Sequence, residues 1–309
     1  MRTAIPPNAL AFEKRFRTER SCRLALLRAR WPGGFTCPRC GSPRYFELRT
    51  RPVLECASCR KQVSLLAGTL FHAAKLPLTV LFRLVYLVVA EKSGTNACAI
   101  SRQVGVSYPT ALLWMRKVRD AMNARRRTRL NGEVEVDETI VGGKQEGSRG
   151  RRLGKKLYVV VMAEDRDDGI GRIRLRAAKR ADGKTLSRIV RSEVEKGSLL
   201  RTDGWSPYRR LAGHGYGHLA LPIEGSGEPA HVRLPLVHLV ASLLKRYLRG
   251  TFHGSTSRRW LQTMLWEFEY RFNRRRSARR PLLFFRLLES AVRQRPRTRD
   301  QLADACALL

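Results

Sequence analysis

Two cysteine knuckles, Cys37 and Cys40 in CPRC and Cys56 and Cys59 in CASC, stand fifteen residues apart. No other feature of the chain limits its fold so tightly. Four thiolates at this spacing can close a tetrahedral Zn²⁺ shell, and the distance between the pairs is that of a zinc ribbon. A redox dithiol needs only one CxxC on a βαβ unit, whereas two knuckles here bracket a short segment punctuated by Gly and Pro. A ribbon contacts DNA or protein, so any chemistry must lie elsewhere in the chain.

The charge balance points to the partner. Across 309 residues Lys and Arg number 61 against 26 acids, a formal net charge of +35. The cations run along the whole chain, and such self-repulsion calls for a polyanion, of which nucleic acid is the commonest. Arg outnumbers Lys, which suits bidentate phosphate contacts, a bias that a GC-rich genome also produces. The remaining cysteines, Cys22, Cys98 and Cys306, are scattered and form no disulfide framework, which predicts a reducing compartment. The opening MRTAIPPNAL has no apolar core of the signal-peptide kind. The most apolar stretch, LPLTVLFRLVYLVVA from Leu76 to Ala90, is too short for a bilayer and contains Arg83. The expectation is a soluble, cytoplasmic, nucleoid-associated protein with no membrane contact.

The chain is long enough for two or three domains. Ala9 to Arg30 reads as one basic amphipathic helix ended by Pro32-Gly33-Gly34, and the ribbon follows. Pro77 to Lys92 reads as a buried helix. A short helix from Ala97 to Val104 begins after Thr95-Asn96, and the turn Gly105-Val106-Ser107 leads into a longer one from Tyr108 to about Arg125. This is a helix-turn-helix pattern, with Tyr108, Thr110, Arg116, Lys117 and Arg119 expected to face DNA; an ordinary packing hairpin has the same outline. After the basic run Arg125-Arg126-Arg127-Thr128-Arg129 the period changes. Glu133 to Asp137 alternates as a strand, Leu157 to Met162 is a buried strand, and Arg172 to Ala177 alternates again. Asp182 caps a helix to Lys196, Ser198 to Thr202 is a short strand, and two helices follow, Leu234 to Leu248 and Arg258 to Arg274. Strands with interspersed helices predict a mixed α/β domain.

Two aspartates stand out within it. Asp137 lies towards the end of the first strand beside Glu138, and Asp203 directly follows a strand in RTDGW. Carboxylates at neighbouring strand ends can converge on Mg²⁺ ions and serve phosphodiester chemistry. Each taken alone also reads as a turn or cap residue. Trp205 and Tyr208 could stack on an unpaired base or simply pack.

These segments, together with RWPGGFTCPRCGS, GEVEVDETIVGG and VHLVASLLKRYLRGTFHG followed by LQTMLWEFEYRFNRR, resemble the zinc-ribbon insertion-sequence DDE transposases of the ISXO-like group. The likeness runs in order from about Phe12 to Arg275. It implies a ribonuclease H-like core and a polynucleotidyl transferase that uses Mg²⁺ to cut at terminal inverted repeats and join the ends to target DNA. By the resemblance Asp137 and Asp203 match the first two catalytic acids, and Lys245 matches the lysine two helical turns beyond the third position. That third position is His238, separated from Asp203 by thirty-four residues, where the family pattern more usually has Glu or Asn. Glu224 and Glu228 rank behind it. Arg246, beside Lys245, would contact the DNA backbone. His253 and Asn273 match the pattern without an assignable role.

The fold class expected is thus multidomain α/β, with an N-terminal zinc ribbon and helix-turn-helix followed by a ribonuclease H-like mixed α/β catalytic domain. The expected division is a basic helix over 1–34, the ribbon over 35–64, the helix-turn-helix region over 75–128, the catalytic domain over 130–280 and a helical tail over 281–309. Structural Zn²⁺ and catalytic Mg²⁺ are the expected metals. DNA, both the element ends and the target, is the expected partner, with at least a dimer of the protein on it. The competing reading keeps the DNA-binding modules and loses catalysis: a decayed transposase. Intact Asp137 and Asp203 favour the enzyme, and His238 in place of an acid favours the inactive form. A nuclease cutting DNA junctions without strand transfer is a third class, but nothing in the sequence calls for it.

Overall fold

A computed structural model describes residues 6–48, 50–123, 128–142, 157–222, 227–254, 259–277 and 281–304. Arg125 to Arg127, Glu224 and Cys306 lie outside them. The chain divides into two compact units, residues 1–124 with 276–302, and 125–275 with 303–309.

The first unit begins with two helices where the sequence reads as one. Helix α1 spans Ala9–Arg15 and α2 spans Glu19–Arg30. The chain breaks because Thr18 takes an extended conformation and its Oγ1 accepts from Ser21 N at 3.2 Å, which caps a new helix. Phe16, at the break, is buried against Phe82 and Phe284. The ribbon is a three-stranded antiparallel sheet of β1 (Tyr45–Glu47), β2 (Val53–Cys56) and β3 (Gln62–Ser64), in that order. Its core is Phe35, Leu54 and Leu65 packed around Cys37 and Cys56.

Helix α3 (Leu78–Ala90) is buried along most of its length, as its composition predicts. Helix α4 (Ala97–Val104) starts at Asn96, whose Oδ1 accepts from Ala99 N at 2.9 Å. It ends at Gly105 with φ +71°, a left-handed conformation that glycine adopts at little cost. Helix α5 (Tyr108–Met122) follows and packs on α4 through Ile100, Ala111 and Met115, all buried. Near the C-terminus, α10 (Pro281–Arg293) packs against α2, α3 and α5 rather than forming a separate tail. Phe284 is fully buried among Phe12, Phe16 and Phe82. Leu70 N donates to Ala291 O at 2.9 Å, and Ser290 Oγ to Ala121 O at 2.8 Å.

The second unit is built on five strands: β4 (Glu133–Val141), β5 (Leu157–Arg166), β6 (Gly169–Ala178), β7 (Leu199–Thr202) and β8 (Gly217–Ala220). Their order is β6-β5-β4-β7-β8, with β4, β5 and β6 antiparallel and β7 and β8 parallel to β4. This is the ribonuclease H-like arrangement. One face packs Val159, Val161 and Leu175 on α8 (Pro235–Phe252) and α9 (Leu261–Phe272). The other packs Val134, Val136 and Val160 on α6 (Gly183–Glu193), which Asp182 caps, and on a 3-10 helix, Ser206–His214. The strand β8 and the 3-10 helix carry too few periodic apolar residues to be read from sequence.

Strand β6 is an edge strand, and α9 covers it with side chains in place of a sixth strand. Asn273 Oδ1 accepts from Ile173 N at 2.8 Å and its Nδ2 donates to Ile173 O at 3.1 Å. Glu269 Oε2 accepts from Leu175 N at 3.3 Å. Gln262 Oε1 accepts from Ala177 N at 2.8 Å and its Nε2 donates to Leu175 O at 3.1 Å. The spacing of 262, 269 and 273 puts all three on one helical stripe, so alternate ladder groups of β6 are satisfied without an open edge. This gives Asn273 the role that sequence matching left blank. Gln262→Leu, which strands a buried N–H and C=O, should cost about 2–4 kcal/mol in chemical denaturation. A loss below about 0.5 kcal/mol would show that the edge needs no such partner.

Candidate active site, metal centre and DNA interface

The four cysteine Sγ atoms lie within 4.8 Å of one another. Cys37 Sγ is 3.6 Å from Cys59 Sγ, and Cys40 Sγ is 3.6 Å from Cys56 Sγ. A tetrahedron with Zn–S bonds of about 2.3 Å has edges of about 3.8 Å, so the set is of a size to close on Zn²⁺. Each knuckle closes with a left-handed residue just after its second cysteine, Gly41 at φ +74° and Arg60 at φ +58°. Gly41 N then donates to Cys37 O, and Arg60 N to Cys56 O.

On the helix pair, Tyr108 is half exposed at the start of α5, and Thr110 bonds Ser107 side chain to side chain at 2.9 Å. Arg116 and Lys117 are half-buried, and Lys117 Nζ lies 4.7 Å over the Trp114 ring, with burial lowering its pKa. Arg119, expected on the DNA face, is buried at 3% exposure. The reason is tertiary: α10 and the residues after it cover the C-terminal half of α5, where Arg297 Nη1 donates to Asp120 Oδ1 at 2.8 Å. On this pair the exposed side chains are Tyr108 and Pro109 at the start of α5 and Cys98, Arg102 and Gln103 of α4.

In the sheet unit the parallel register of β4 and β7 sets Glu135 opposite Arg201. Two residues further along stand Asp137, still within β4, and Asp203, one residue past the end of β7, close enough that the Asp203 charge acts on Asp137. Asp203 follows the last residue of β7, and its Oδ1 accepts from Trp205 N at 2.9 Å. Gly204, at φ +78°, turns the chain where an added Cβ would meet Ala220 and Pro222. Opposite Asp137, His238 on α8 brings Nε2 to 3.6 Å from Asp137 Oδ2. Asp137, Glu138, Thr139 and the α8 residues His238, Ser242, Lys245, Arg246 and Arg249 line an open cavity of about 650 Å³. The helical spacing of 238, 242, 245 and 249 turns these α8 side chains towards one side.

Electrostatics marks the acids as a group. Burial, then the Asp203 charge, raises the Asp137 pKa to about 6. Burial and the Asp137 charge raise that of Glu138 to about 7, against a lowering bond from Tyr208. Burial, then His231 and Lys245, lowers the pKa of His238, so the ring is neutral at pH 7. Glu138 is the residue that sequence reasoning passed over; its only signal was its place beside Asp137. Tyr208, a candidate for base stacking, is fully buried and donates to Glu138 Oε2 at 2.9 Å, while Trp205 packs on the same core. Glu228, a candidate substitute for His238, pairs with Arg233 at 2.9 Å. Among the described residues no group of three metal-ligating side chains other than the four cysteines gathers within 4.8 Å, and no helix is long and apolar enough to cross a membrane.

A cysteine ribbon ahead of a ribonuclease H-like sheet with neighbouring aspartates from two parallel strands is the build of a polynucleotidyl-transferase type of transposase. Residues 129–273 match the ISXO2-like transposase domain, and residues 17–62 match a transposase zinc-ribbon domain. The chain belongs to this family of zinc-ribbon DDE transposases. Among solved structures it is similar to a pre-cleavage Mos1 transpososome, at 13% identity over 67% of this chain and 77% of that one, with a TM-score of 0.27. It is also similar to a Mos1 transposase paired-end complex with left transposon end, at 11% identity over 63% and 76%, with a TM-score of 0.23. Overlaps this weak carry no argument. A comparison with curated proteins finds no match.

Two outcomes follow from the site chemistry. The purified protein should hold about one Zn²⁺ per chain, and Cys56→Ser should release it, by metal analysis; a metal-free wild type that keeps its ribbon fold would count against the zinc reading. The second concerns pH. Folded Asp137 binds its proton more tightly than the unfolded chain, whose ordinary value is 3.8. Its contribution to stability is therefore greatest below about pH 4 and is lost as pH rises through about 6. Without added divalent metal, Asp137→Asn should match the wild type near pH 4 and exceed it by about 3 kcal/mol near pH 8. An equal difference at both pH values would contradict that burial.

Proposed function

We propose that the protein is an active DNA transposase that binds the terminal inverted repeats of an insertion sequence, cleaves DNA there with Mg²⁺ and joins the ends to target DNA. The observation that carries this reading is the pairing of β4 with β7, which brings Asp137 and Asp203 together beside His238. Burial and then the crowding of carboxylates raise the pKa of Asp137 and Glu138, and a divalent cation would relieve that crowding. Asp137 and Asp203 would hold Mg²⁺. Bound there, Mg²⁺ supplies charge neutralisation at the scissile phosphate and a more acidic attacking water or 3′-hydroxyl.

The chain's own residues do the rest. His238, neutral and facing Asp137, accepts a proton from the attacking oxygen. Lys245 and Arg246, with Arg249 one turn beyond, line the cavity as cations and hold the phosphate in place. In the other unit Tyr108 and Thr110 at the start of α5 face the DNA, with Arg116 and Lys117 along its flank. Zn²⁺ keeps the ribbon folded for end recognition. Two ends must be held together, so the protein acts as at least a dimer on DNA.

The test is cleavage and joining of a fragment carrying the flanking ends of the gene, with and without Mg²⁺. Asp203→Asn should lower end cleavage roughly 10³-fold or more while binding of the ends persists. Specific end binding by the wild type with no Mg²⁺-dependent cut would instead establish the decayed, DNA-binding form.

A further inference from the structure

One buried acid joins the three elements that carry the reacting set. Glu135 lies two residues before Asp137 on β4 and therefore on the same face. It is fully buried. Its Oε2 accepts from Leu236 N at 2.9 Å and Val237 N at 3.1 Å, both in the first turn of α8. Pro235 opens that turn without an N–H, and Leu234 before it offers no side-chain cap. The cap comes from across the packing interface instead, from a strand. The residue after Val237 is His238, which faces Asp137.

The other carboxylate oxygen turns towards β7. Glu135 Oε1 lies 3.8 Å from Arg201 Nη2, and Arg201 is its register partner, two residues before Asp203. Arg201 is itself held by Asp165 at 2.9 Å. Burying a carboxylate is costly unless it is well bonded, and an apolar side chain would fill this space without that cost. The acid makes bonds to α8 that an apolar residue cannot, while its Oε1 has only the 3.8 Å charge contact with Arg201 and no hydrogen bond.

We propose that Glu135 is a positioning residue of the catalytic centre. It fixes the first turn of α8 on β4 so that His238 meets Asp137. The inference rests on Asp137, Asp203 and His238 being the reacting set.

Length of reach and charge can be separated. Glu135→Gln keeps the length and one acceptor oxygen, while Glu135→Asp keeps the charge but falls one methylene short. Glu135→Asp should cut Mg²⁺-dependent end cleavage about 10–100-fold, with end binding and circular dichroism unchanged, and Glu135→Gln should restore most of that loss. In a His238→Ala background Glu135→Asp should add nothing, because its effect passes through His238. Amide exchange of Leu236 and Val237 should speed up at least tenfold in Glu135→Asp, and the ring resonances of His238 should shift while those of His72 stay put. Full additivity with His238→Ala, or unchanged exchange at Leu236 and Val237, would overturn the proposal. If the wild type cuts no DNA, the transposase reading fails separately, and the exchange and ring resonances still decide whether Glu135 holds α8.

Discussion

The catalytic end of the sheet unit depends on the parallel pairing of β4 and β7. Glu135 opposite Arg201 sets the register, and a slip of one residue would turn Asp137 or Asp203 to the opposite face. The pairing is short, and β8 holds β7 from its other side by a parallel ladder over Leu199–Thr202. Apolar packing on both faces supports it, through Val134, Val136 and Leu200 on the α6 side and Leu234 and Val237 on the α8 side. The polar contacts of Glu135 and Arg201 then select one alignment from those that apolar packing alone would tolerate.

Buried charge recurs in the same unit with a different purpose. Glu269 bonds the Leu175 N–H and also lies 3.3 Å from both Arg174 Nη1 and Arg176 Nη1, which reach Glu193 on α6. The chain has far more cations than acids, so each buried acid can recruit guanidinium partners, and burial lowers the Arg174 pKa to about 10. At the site the balance is reversed. Asp137 and Glu138 are half-buried beside other acids; burial and that crowding raise their pKa and leave an electrostatic demand for a cation. The contrast separates the acids that hold the fold from those available for chemistry.

Much of this was legible before any coordinates. The cysteine spacing specified the ribbon because metal geometry tolerates few alternatives. Asn96 and Asp182 announced helix starts because their side chains cap only there, and both do so. The strands β4 and β5 showed through their period. Arg119 was misread because helical periodicity shows a charged stripe but not which neighbour covers it. The single helix expected over Ala9 to Arg30 splits at the Thr18 cap, beside which Phe16 is buried in an aromatic cluster that only the tertiary structure assembles. Segment 281–309 showed no motif because Phe284 acquires meaning only beside Phe12, Phe16 and Phe82.

By itself, then, the sequence determined the local matters: the metal-binding knuckles, the helix caps and the alternation that makes strands. Family resemblance added the identity of the acids, and the strand pairing is what brings two of them together. Only the tertiary structure decided that Asn273, Glu269 and Gln262 complete a sheet edge, that Tyr208 supports Glu138 instead of a base, and that Glu135 caps a helix a hundred residues away. The division has a physical cause. Caps, turns and metal loops are settled by atoms a few residues apart, whereas a buried acid's partner is chosen by packing, and packing brings together residues whose separation in sequence carries no signal.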